Sequence, residues 1–293
     1  MLTSPSFREH YFSSNDGLKL YARDYGPVKG GKTTVLCLPG LTRNSKDFHK
    51  VAERLCSDRR VISIDCRGRG LSQYADDWKT YEPNVEMDDA IKLLDELEVE
   101  HVVLLGTSRG GLISMLMAMV HKHRIKGIIL NDIGPKIDDY GLIKISDSIG
   151  TRSKITDWDS LVSGLKDYYV GFSGLSDQDW MDFAHCTYRE IDGEITPDYD
   201  FDLMKTFPSS DFVKAGKIPE VWEAFEAMAG LPVAVIRGQN SDLLSDETVA
   251  KMAEKHDGLI TALVPNRAHV PFLDEAESVV AIDAIIEMAD RAE

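Results

Sequence analysis

Cysteine is scarce: Cys37, Cys56, Cys66 and Cys186 are the only four in 293 residues, and no two are spaced as C-x-x-C. That spacing argues against a zinc site or a redox pair. Cys37 lies inside an apolar run, so reduced, buried thiols of a cytoplasmic protein are the expectation. Long apolar runs are missing too. None reaches the roughly 18 residues that a membrane span needs, and Met1–Tyr11 holds no apolar segment of signal-peptide length. Basic residues are in deficit, 33 against 49 acidic ones, for a formal net charge of −16. Such a surface repels phosphate backbones and anionic lipid, so neither nucleic acid nor a membrane is expected as a partner. None of this bears on the oligomeric state.

What is present is a rhythm. Phe7–Phe12 and Lys19–Tyr25 read as strands joined by the turn-like Ser14-Asn15-Asp16-Gly17. Short apolar strands then alternate with helical patterns. The strands are Thr33–Leu38, Arg60–Asp65, Val102–Gly106 and Ile125–Asp132; the helices lie near Asp47–Leu55, Val85–Leu97 and Leu112–Val120. The strands are continuous apolar runs rather than alternating ones, as in a doubly wound parallel α/β sheet covered on both faces. The rhythm breaks after Pro135 and resumes with Val233–Gly238, a helix near Asp246–Lys255, a strand near Leu259–Val264 and a helix near Ala276–Met288. Residues 135–230 are expected to form a helical, aromatic-rich lid inserted into a core of residues 1–134 and 231–293. Within the lid, Trp222 is a candidate substrate contact.

Gly106-Thr107-Ser108-Arg109-Gly110 fits G-x-S-x-G. A sharp strand-to-helix corner strains the serine backbone, leaves no room for side chains two positions either side, and sets the hydroxyl at a helix N-terminus. The bare pattern turns up by chance about once in ten chains of this length, so its context decides. Here it follows an apolar strand and opens an apolar helix, which makes Ser108 a candidate nucleophile.

A serine hydroxyl needs a base, and the base needs an orienting acid. His269, in Pro265-Asn266-Arg267-Ala268-His269 after the last strand, would reach the same sheet edge as Ser108. Asp242, after Val233–Gly238, is the preferred acid. Asp132 and Asp65 compete on the same edge. An oxyanion hole needs two N–H donors. The backbone of Arg109 and that of Leu41, in Pro39-Gly40-Leu41-Thr42, are the candidates, with Thr42 as a fallback for Leu41.

Together these segments, with Asp65-Cys66-Arg67-Gly68-Arg69-Gly70-Leu71-Ser72, resemble the α/β-hydrolase fold superfamily, in its serine-nucleophile esterase and enol-lactonase-like branches. The resemblance runs over nearly the whole chain. It implies an eight-stranded, mostly parallel sheet whose second strand is antiparallel, a helical cap between strands six and seven, and no metal or cofactor. It implies hydrolysis of a small ester or lactone through an acyl-enzyme. A C–C hydrolase acting on a vinylogous diketone, a cofactor-free perhydrolase and a ligand receptor with vestigial hydrolysis are the other readings. One departure stands out: these branches usually carry Met, Leu or Gln after the nucleophile, where this chain has Arg109. Arg109 and Arg43 are therefore candidates for holding a substrate carboxylate; a structural ion pair is the alternative for Arg109. Arg67 is expected to tie loops together.

Overall fold

A computed structural model describes residues 6–150 and 155–291. Among the described residues are ten strands and ten α-helices. β1 (Phe7–Ser13) and β2 (Lys19–Tyr25) form a hairpin. β3 (Thr34–Leu38), α1 (His49–Leu55), β4 (Val61–Asp65), α2 (Pro83–Glu96), β5 (Val102–Thr107), α3 (Arg109–Val120) and β6 (Ile125–Asn131) follow. Next come α4 (Asp139–Ser148), α5 (Trp158–Tyr168), α6 (Asp177–Thr187), β7 (Tyr188–Ile191), β8 (Glu194–Pro197), α7 (Ser210–Lys214) and α8 (Trp222–Glu226). The chain closes with β9 (Val233–Gly238), α9 (Asp246–Lys255), β10 (Ile260–Val264) and α10 (Ala276–Arg291).

Eight strands make one sheet in the order β1-β2-β4-β3-β5-β6-β9-β10. β2 is antiparallel to both neighbours, and the remaining pairs are parallel. Side chains alternate across each strand, which divides the apolar core in two. Leu36, Leu38, Ile62, Ile64, Leu104 and Leu130 point to the face covered by α2, α3, α8 and α9. Val35, Cys37, Val61, Val103, Leu105 and Ile129 point to the face covered by α1 and α10. Both faces are dry, which is why these strands read as unbroken apolar runs.

The segment between β6 and β9 splits in its packing. Leu161, Val162, Leu165, Trp180, Ala184 and Ile195 form a small core of their own, built on α5, α6 and β8. Val213, Ala224, Phe225 and Met228 instead join the main core beneath the sheet. The segment also contains an antiparallel hairpin, β7–β8, where the sequence suggested helices alone. Its turn is Asp192-Gly193, with both residues at positive φ (51° and 78°), a conformation suited to a tight two-residue hairpin.

Candidate active site

The corner between β5 and α3 is strained as its motif demands. Ser108 has φ +50° and ψ −114°, a region that side chains rarely occupy. A Cβ on Gly106 would lie 2.4 Å from the Gly110 carbonyl oxygen, and one on Gly110 would lie 2.0 Å from that of Leu38. One glycine lets the corner close on itself; the other lets α3 press against β3. The Ser108 N–H is held by the Asn131 carbonyl at 3.0 Å, which fixes the corner to the end of β6.

The loop after β10 brings His269 to the corner. Its Nε2 lies 3.0 Å from Ser108 Oγ, and its Nδ1 lies 2.7 Å from Asp132 Oδ2. Asp132 directly follows β6, has φ +54° and is fully buried. Its carboxylate is fully engaged. Oδ1 accepts the Gly238 N–H at 2.8 Å, and Oδ2 also accepts the Ser241 hydroxyl at 2.6 Å.

Asp242, preferred from the sequence, is not brought to His269. Its Oδ2 pairs with Lys144 of α4 at 2.9 Å. The cause is the turn after β9. Ser241 N–H bonds back to the Gly238 carbonyl, and its Oγ accepts from the Leu243 and Leu244 N–H groups. This puts residue 241 toward Asp132 and turns residue 242 toward α4. β6 and β9 are neighbours, with Asn131 paired to Ile236, so two aspartates sit side by side on one edge and only the loop path separates their roles. Asp65 is a structural acid. It is buried, and it accepts the Ser45 and Leu71 N–H groups at 2.7 and 2.8 Å.

Leu41 and Thr42 line the cavity above Ser108. A Cβ on Gly40 would sit 3.8 Å from Ser108 Cβ, so this loop runs directly beside Ser108. The Leu41 carbonyl turns away to accept Arg69 Nε at 2.7 Å. Arg109 supplies the first N–H of α3, one of the four that a helix leaves unpaired. Its side chain leaves the cavity altogether: Nε donates to Glu86 at 2.7 Å and Nη2 to the Tyr81 carbonyl at 2.7 Å. Arg109 is thus a structural ion pair and not a carboxylate clamp. Burial alone would push the Glu86 carboxyl up; Arg69 and Arg109 outweigh it and hold Glu86 below the usual carboxylate range. Sequence reasoning missed Glu86, Arg69 and Ser241, whose partners lie on distant segments.

Arg43 lines the cavity, held bidentate by Asp47 at 2.7 and 2.6 Å, bonded to Thr187 and laid over the Phe183 ring at 4.4 Å. Trp222 does not line it. The indole donates to Glu220 and packs on the main core beneath Lys251 and Lys255. Arg67 does tie loops, reaching Asp89 of α2 and Asp16 of the β1–β2 turn. Burial pushes the Cys37 and Cys66 thiols up, which leaves both unreactive. Among the described residues no group of three metal-ligating side chains occurs, and no helix is long and apolar enough to cross a membrane.

The cavity holds about 990 Å³ and is walled by the insertion on one side and by the loops of Ser108 and His269 on the other. Its apolar wall includes Tyr169, Phe172 and Phe183, and Phe172 stacks on Phe272 of the His269 loop at 5.5 Å. Lys144 and Arg267 are further cations in the lining.

Residues 33–175 match the family model of the alpha/beta hydrolase fold. The chain is 33% identical over 254 residues to the 3-hydroxybutyrate-oligomer hydrolase of Cupriavidus necator, covering 84% of this chain and 86% of that relative. It is 24% identical over 263 residues to the 2-(acetamidomethylene)succinate hydrolase of Mesorhizobium japonicum, covering 89% and 90%. Among solved structures, an alpha/beta hydrolase from Novosphingobium aromaticivorans superposes with a TM-score of 0.90 at 36% identity, covering 98% of this chain and all of that one.

Proposed function

Since this chain belongs to the α/β-hydrolase fold family, we propose that it cleaves the ester bond of a short hydroxy-acid oligomer, with Ser108 as nucleophile, His269 as base and Asp132 as orienting acid. The observation that carries the reading is the unbroken chain Ser108–His269–Asp132, at 3.0 and 2.7 Å, opening onto a cavity of about 990 Å³. His269 takes the Ser108 proton as Oγ attacks the carbonyl carbon. The N–H groups of Leu41 and Arg109 receive the oxyanion. The tetrahedral intermediate collapses to an acyl-serine, and the alcohol leaves with the proton from His269. Water, deprotonated by the same imidazole, then releases the acid. Asp132 keeps Nδ1 protonated, so that Nε2 faces the hydroxyl as an acceptor.

Two relatives support a substrate bearing a free carboxylate. The names of the Cupriavidus and Mesorhizobium enzymes give different substrates, a hydroxybutyrate oligomer and a substituted succinate, and both carry that group. In the cavity wall Arg43, Lys144 and Arg267 are already paired with Asp47, Asp242 and Glu275, so a substrate carboxylate would share one of these cations with its acid. The volume is at the upper end of ligand pockets and suits more than one acyl unit.

The test uses the linear hydroxybutyrate dimer, its methyl ester and a lactone. Ser108→Ala should abolish turnover of all three without changing the thermal midpoint; retained turnover would refute the nucleophile. The dimer should have a higher kcat/KM than its methyl ester. An equal or lower value would refute carboxylate recognition while leaving the triad standing.

A further inference from the structure

We propose that Glu86 is a positioning residue that holds both halves of the oxyanion hole in register, an inference that rests on Leu41 and Arg109 being the donors as read above. Three buried links carry it. Glu86, on α2, is fully buried, and its Oε2 accepts Arg109 Nε at 2.7 Å. Its Oε1 accepts Arg69 Nη1 at 2.5 Å and Arg109 Nη2 at 3.2 Å. Arg69, also fully buried, donates from Nε to the Leu41 carbonyl at 2.7 Å. One carboxylate thus connects the side chain of one donor residue to the backbone of the other.

The geometry matters because the two donors belong to separate pieces of chain. The Arg109 N–H is fixed by α3, whereas Leu41 sits in a loop and depends on the bonds its two flanking peptides make. The Leu41 carbonyl shares its peptide plane with the Thr42 N–H, so Arg69 pins the far side of residue 41. The Leu41 N–H belongs to the Gly40–Leu41 peptide, whose carbonyl accepts the Arg43 N–H at 3.1 Å, and it keeps its direction only while both flanking peptides are held. Arg69 can pull only because Glu86 and the Arg67 carbonyl, at 2.6 Å from its Nη1, anchor it. This accounts for arginine after the nucleophile: its side chain is the second strut to Glu86. An oxyanion donor acts only if it waits in place before charge develops.

Position and field predict opposite signs. Arg69, Arg109 and Glu86 sum to one positive charge behind the hole. Glu86→Gln raises that sum and by field alone would speed oxyanion formation; by loss of position it slows it. The experiment measures p-nitrophenyl butyrate hydrolysis and inhibition by a trifluoromethyl ketone, whose adduct with Ser108 carries a tetrahedral oxyanion. Removing a whole donor costs about 10²–10³ in turnover. On that scale, Glu86→Gln should lower kcat by roughly tenfold or more, with KM within about twofold, and raise the ketone inhibition constant by the same factor as kcat/KM falls. Arg109→Met, which leaves the Glu86–Arg69 pair intact, should move both quantities the same way by a smaller factor, and it carries the test if Glu86→Gln does not fold. A folded variant with unchanged or raised kcat, a change in KM alone, or an unmoved ketone constant would overturn the inference. Ser108→Ala run in parallel separates the two levels: if it stays active, the triad reading fails. If it is dead while both variants keep the ketone constant, only the positioning role fails.

Discussion

At the scale of single residues, the site turns on which carboxylate meets His269. Asp132 reaches Nδ1 at 2.7 Å, whereas Asp242 is spent on Lys144. Asp132→Asn leaves the packing but presents an amide where the imidazole needs an acceptor, so kcat should fall by about 10³-fold or more. Asp242→Asn should leave kcat within a factor of a few. Steady-state kinetics on one activated ester reads both; comparable losses would return Asp242 to the chemistry. Ser108 and His269 were legible because a motif and a strand-end loop mark them. Asp132 was visible only as a competitor, since two acids at the ends of adjacent strands look alike in one dimension. Ser241 decides between them, and a serine in a polar turn carries no signal of its own.

Among elements, the tightest constraint is α3 against β3. A methyl at Gly110 would have to displace the Leu38 carbonyl, which is backbone of a central strand and cannot yield. Gly110→Ala should destabilise the fold by about 1–3 kcal/mol or more, seen as a lower thermal midpoint, and should depress activity beyond that loss because the corner shifts. Element types were mostly readable: two-sided burial made the strands continuous apolar runs, and periodicity placed the helices. The β7–β8 hairpin was hidden because its strands are four residues long and half exposed, too short for a period-two pattern to declare itself. The Asp192-Gly193 turn was the one available sign. The sequence offers residues 135–230 as one helical insertion; within it α8 packs with the main core, a choice made by tertiary contacts that local pattern does not encode.

At the scale of the whole molecule, the buried Arg67 stitches separate layers through one buried and one exposed carboxylate. Arg67 links Asp89 on α2 to Asp16 in the β1–β2 turn, and its guanidinium holds the Asp16 carboxyl at about 2 against an ordinary 3.8. A carboxyl depressed in the folded state contributes stability above its unfolded value and loses it as pH falls through the folded one. The contribution of Asp16 is therefore intact near neutrality and disappears between about 3.8 and 2. Asp16→Asn should lower the thermal midpoint slightly at pH 7 and converge with the parent protein near pH 2; a constant difference across that range would discount the pair. The same division of labour reaches the cavity. On the reading proposed above, the acid of the triad is rooted at the end of β6, so position 242 and its partner on α4 carry no obligation to proton transfer. Selection, natural or in the laboratory, is free to rewrite that wall for a new leaving group while the engine beneath it stays untouched.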